Sequence, residues 1–133
     1  MAVAHIDAFD EEERSDGRTL VYPPAMDQNY ARFHRDPGNM LIHIVAVPAF
    51  IYGTWLVLSG VLAGRWLGAV FGLAAIGVSL AVQGIGHKRE PTPPLPFDGP
   101  GDFIKRILTE QFYRFPMFVL TGGWFRALRA AND

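Results

Sequence analysis

Four histidines, His5, His34, His43 and His87, stand in a chain of 133 residues that has no cysteine. Imidazole nitrogens, with or without a carboxylate, suit Fe(II), Zn(II) and other divalent first-row ions. The missing thiols exclude disulfides, thiolate zinc sites and a cysteine nucleophile. His5 lies in an acidic stretch and reads as a solvated residue. Two of the other three have polar neighbours at helical spacing: Asn39 and His43 are i, i+4, and Gln83, His87 and Glu90 are i, i+4, i+7. Such a set points to a metal site with His34, His43 and His87 as ligands. The other reading makes His43 and His87 structural hydrogen-bonding partners. Spacing alone leaves a zinc hydrolase and a non-haem iron oxygenase both open.

The elements that must position these residues are membrane helices. Residues 40–64 contain no Lys, Arg, Asp or Glu, Arg65 interrupts, and residues 66–86 are again uncharged. Each run exceeds the roughly 18–20 apolar residues needed to cross about 30 Å of hydrocarbon. The expected fold is therefore an all-α integral membrane protein built on a two-helix transmembrane hairpin. A hairpin sets the start of one helix beside the end of the other, which brings His34, His43 and His87 to similar depth. On one straight helix His34 and His43 would face opposite sides, and the break at Pro37-Gly38 lets His34 fold back. Asn39 is expected to cap the first membrane helix and Pro48 to kink it. Gly60-x-x-x-Gly64 and Gly68-x-x-x-Gly72 offer small residues for close helix approach.

Around the hairpin, residues 1–26 are expected to form an acidic tail, mobile or loosely docked, and a short helix capped by Asp27 is expected at residues 27–35. Residues 27–128 are expected to form one membrane-embedded helical domain, and 129–133 a C-terminal tail. Pro91, Pro93, Pro94, Pro96 and Pro100 make an extended linker. Beyond it, Phe103, Ile104, Ile107, Leu108, Gln111, Phe112 and Phe115 share one helical face, the pattern of an interfacial amphipathic helix. Residues 116–125 are apolar but too short to span, and suit a re-entrant or surface-packed turn of helix.

Arg14, Arg18, Arg32 and Arg35 precede the hairpin, Lys88, Arg89, Lys105 and Arg106 follow it, and only Arg65 lies at its tip. That asymmetry predicts both termini on the cytoplasmic side, in a bacterial inner membrane or an ER-type membrane. No secretory signal is visible, because the chain opens with acidic residues. A formal net charge of -1 gives no electrostatic ground for binding nucleic acid.

The blocks Tyr30-x3-His34-x4-Asn39-x3-His43 with Val47-Pro48, and Gln83-Gly84-Ile85-Gly86-His87-x2-Glu90, resemble the signature blocks of the 2-hydroxy fatty acid dioxygenase family of membrane proteins. The resemblance runs from about Tyr30 through Glu110-Gln111-Phe112 and Phe115-Pro116 to Gly122-Gly123-Trp124. It implies an Fe(II)-dependent α-oxidation that shortens a long-chain 2-hydroxy fatty acid by one carbon. It also implies that His34, His43 and His87 are the iron ligands. Glu90 or Glu110 offers a carboxylate, Asn39 and Gln83 supporting contacts, and Arg35, Lys88 or Arg89 a partner for the substrate carboxylate. Expected partners are membrane lipids, the fatty acid, and a second copy or a larger membrane complex. The competing function is a non-catalytic membrane subunit, for assembly or lipid binding, whose histidines hold the hairpin together.

Overall fold

A computed structural model describes residues 30–133. The acidic stretch, His5 and the Asp27 cap lie outside the described residues. A 3₁₀ turn, Tyr30–Phe33, leads to α1 (Pro37–Leu62) and α2 (Trp66–His87). After the proline-rich segment come α3 (Pro100–Thr109), a π-helical turn (Glu110–Arg114), α4 (Phe115–Leu120) and α5 (Gly123–Asn132). There is no strand among the described residues. The last helix runs through most of the segment expected as a C-terminal tail.

The cap of α1 is Asp36, not Asn39. Asp36 is extended, its Oδ1 accepts the Asn39 N–H at 2.8 Å, and Pro37 fills the first helical position, where a missing N–H costs nothing. Asn39 is thus already in the first turn. At the far end Gly64 is left-handed (φ 67°). The Arg65 N–H reaches Gly60 O at 2.7 Å and the Gly64 N–H reaches Val61 O at 3.3 Å, a Schellman turn that reverses the chain into α2.

Small residues do join the two helices, but in another pairing than the sequence spacing suggests. A Cβ on Gly53 would lie 2.8 Å from Gly72 O, and one on Gly60 would lie 2.8 Å from Ala69 N. Gly64 and Gly68 would meet nothing within 4 Å. Gly53 and Gly60 on α1 therefore face Gly72 and Ala69 on α2, and only one glycine of each expected pair is in the interface.

Helices α1 and α2 are each long and apolar enough to cross a membrane. Only 28% and 22% of their most apolar windows are buried. The core helix of a soluble protein would have its apolar residues mostly inside, whereas here Leu58, Leu62, Trp66, Leu67 and Phe71 point outward. The packed core lies at the opposite end of the hairpin. There Tyr30, Met40, Val47, Phe115, Phe118 and Trp124 form one cluster, and the Trp124 indole N–H donates to Met40 O at 3.1 Å. The C-terminal helices thus cover the beginning of α1.

Two devices set their path. Arg106 donates to Leu95 O at 3.0 Å and Pro96 O at 3.1 Å and lies over the Phe97 ring, folding the proline segment onto α3. Pro116 cannot donate to the carbonyl four residues back, and its ring crowds that carbonyl. The helix widens just before it, where the Phe115 N–H bonds Glu110 O five residues back. α3 itself buries no residue, and Phe103, Ile104 and Leu108 are exposed on it.

Candidate metal centre

His34 follows the 3₁₀ turn, which stacks its ring on Tyr30 at 4.2 Å between centroids and 17° between planes. Its Nδ1 lies 3.1 Å from Tyr30 O, four residues back. His43, one turn and a half into α1, repeats the device: its Nδ1 lies 3.0 Å from Asn39 O. A carbonyl only accepts, so both Nδ1 atoms carry the hydrogen and both Nε2 atoms present a lone pair. His87 is the last residue of α2. Ring centroids are 5.2 Å apart for His34 and His43, 5.4 Å for His34 and His87, and 4.8 Å for His43 and His87.

One nitrogen from each of the three rings lies within 4.8 Å of the others. His34 Nε2, His43 Nε2 and His87 Nδ1 are buried and have no hydrogen-bond partner among the described residues. Orphaned buried polar atoms are rare in folded proteins, because each forfeits its hydration. Three that converge from separate elements, two with tautomers fixed by backbone carbonyls, match the donor set of a divalent first-row ion. His34 titrates far below the usual imidazole range, at about 3, chiefly because burial disfavours its charged form and next because His43 is close. It is therefore neutral at physiological pH, the form that binds metals.

The two candidate carboxylates have separate places. Glu90 does not continue the face of His87, because the chain leaves α2 in a turn after that residue. Its Oε2 accepts the backbone N–H groups of Arg35 at 2.8 Å and Asp36 at 3.1 Å, and its Oε1 accepts from the Asn39 amide at 2.5 Å. One carboxylate thereby ties together the segment bearing His34, the turn of α1 below His43, and the end of α2. Glu110, on the π-helical turn, accepts the Tyr30 hydroxyl, and its Oε1 lies 3.6 Å from His34 Nε2. Burial raises Glu110 to about 7, against the opposing pull of the Tyr30 hydroxyl and Arg114. Burial and the adjacent Glu110 likewise push the Tyr30 phenol well above its ordinary value.

Gln83 lies outside the histidine cluster. It exchanges hydrogen bonds with Gln111 at 2.7 and 3.2 Å and donates to Ser79 Oγ, which donates to Ala46 O. This buried ladder pins the π-helical turn to both long helices. All three basic residues expected near a substrate carboxylate, Arg35, Lys88 and Arg89, are exposed, and Arg89 pairs with Asp36 at 2.9 Å. Tyr30, Ser79 and Gln111 carry polar contacts that spacing did not assign them. Ser79 lies i, i+4 from Gln83, and Gln111 is the polar member of an otherwise apolar face. Comparison of the chain with protein-family models, curated proteins and solved structures finds no match.

Proposed function

We propose that the protein is a membrane-embedded non-haem Fe(II) dioxygenase that shortens long-chain 2-hydroxy fatty acids by one carbon. The observation that carries this reading is the convergence of three orphaned imidazole nitrogens at the covered end of an apolar hairpin. Iron bound there would supply the redox chemistry that couples O2 to cleavage of the C1–C2 bond. The overall change balances without an external reductant: R–CHOH–COOH and O2 give R–COOH, CO2 and H2O.

The chain's own residues account for the rest. His34 and His43 are held as neutral donors by Tyr30 O and Asn39 O, and Glu90 fixes the three segments that bear the ligands. The exposed apolar outside of α1 and α2 suits lipid, so an acyl chain can approach laterally with its carboxylate at headgroup level. Arg35 and Lys88, exposed and adjacent in sequence to His34 and His87, are the cations suited to meet that carboxylate. Arg89, engaged by Asp36, is less suited to that role.

The test is turnover by anaerobically purified, iron-loaded protein in vesicles, under air and under nitrogen, with an even-chain 2-hydroxy fatty acid. The expected outcome is an odd-chain fatty acid only under air, and loss of both iron and product in His43→Ala and His87→Ala. No odd-chain product with iron confirmed in the protein would overturn the dioxygenase and leave the non-catalytic membrane subunit in its place.

A further inference from the structure

We infer that Glu110 is a fourth protein ligand, so that the centre is a three-histidine, one-carboxylate set completed from the C-terminal half of the chain. The inference rests on the metal-centre reading above and deepens it.

His34 donates through Nδ1 to Tyr30 O, so Nε2 faces outward as an acceptor. Glu110 Oε1, 3.6 Å away, is also an acceptor and already receives the Tyr30 hydroxyl. Two acceptors facing each other where little water reaches repel unless a proton or a cation lies between them, and 3.6 Å is too long for a shared proton. A first-row ion with bonds of about 2.1 Å sets its ligand atoms about 3.0–3.4 Å apart. The separation seen between Glu110 and His34 is close to that edge, and nearer to it than the 4.8 Å spread of the three nitrogens.

Glu90 offers no competing carboxylate, since both its oxygens are engaged by Arg35, Asp36 and Asn39. Glu110 is delivered by the π-helical turn, the local widening that Pro116 imposes. The Gln111 bonds to Gln83 lock that turn against α2. The Tyr30 hydroxyl then orients the carboxylate, as an outer partner orients a metal ligand.

Co(II) binding to the full chain in detergent, followed by optical titration and competition, provides the test. Glu110→Gln, which keeps the shape, should lose more affinity than the roughly 10–100-fold that removal of an outer partner costs. It should also change the ligand-field bands. Tyr30→Phe should stay within that 10–100-fold range with the bands kept, and Glu110→Asp should recover part of the loss. Should Glu110→Gln fail to fold, the wild-type protein decides alone: with 13C-carboxyl glutamate incorporated, pulsed EPR on the Co(II) form should show carbon coupling. Glu110→Gln that binds Co(II) with wild-type affinity and bands, or wild-type protein without carbon coupling, overturns the ligand role and leaves the three-histidine centre standing. Wild-type protein that takes up no Co(II) overturns the centre itself.

Discussion

At the scale of single residues, the two glutamates near the histidines divide the work. Glu90 satisfies two backbone N–H groups and the Asn39 amide, whereas Glu110 faces His34 Nε2. Replacing Glu90 by Gln would turn an amide N–H toward a donor at one of these contacts. The cost should be about 1–3 kcal/mol of stability, with metal affinity down by roughly 10–100-fold because the ligand-bearing segments loosen. Thermal unfolding of the metal-free protein together with a Co(II) titration checks both parts; unchanged values would show that Glu90 is not the clamp. The sequence carried the three histidines legibly, because an antiparallel hairpin must bring the start and end of its helices together. It did not carry the roles of Glu90 and Glu110. Those depend on where α2 stops and on a π-helical turn, which are tertiary compromises around Arg89–Asp36 pairing and Pro116.

Among the elements, the contact between α1 and α2 is made by backbone approaching backbone. Gly72 is met by Gly53 O and by Val57, so a side chain there must push the helices apart. Gly68, one turn earlier on the same helix, has open space around it. Gly72→Leu should therefore lower the unfolding temperature in detergent markedly and release bound metal, by tilting His87 away from His43. Gly68→Leu should change neither. Equal behaviour of the two variants would refute this interface. The sequence motif named the right kind of residue but not the partners, since any four-residue spacing on a glycine-rich helix satisfies it. The same holds for α3 to α5. The apolar periodicity after the proline segment was readable, yet its destination was not. Phe115 turns inward onto His43, Gln111 onto Gln83 and Trp124 onto Met40, while Phe103, Ile104 and Leu108 stay exposed, as an interfacial helix requires.

For the whole molecule, the lengths of the helices and the place of the histidines fit one another. From His43 to Leu62 the rise of about 1.5 Å per residue gives roughly 29 Å, close to the thickness of a hydrocarbon core. In a bilayer that holds the bare tip at one boundary, His43 would come to the other, and the turns before it, with Asp36 and Glu90, would reach headgroup level. Arg35, Lys88 and Arg89 lie at this same end and Arg65 alone at the tip, so the positive-inside rule predicts a histidine end that faces the cytoplasm. Hydropathy marked the two long apolar helices plainly, because a run without charges has few soluble uses. The absence of native cysteine makes the orientation directly measurable. Ala63→Cys and Asp98→Cys, both at exposed positions, introduce single thiols at the tip and in the proline segment. In intact cells an impermeant maleimide should label Cys at 63 and spare Cys at 98, and permeabilising the membrane should expose both. The reverse pattern would put the histidine end outside. Equal labelling of both before permeabilisation would mean that the hairpin does not cross the membrane. Its apolar outside would then have to be covered by protein, as in the assembly-subunit reading.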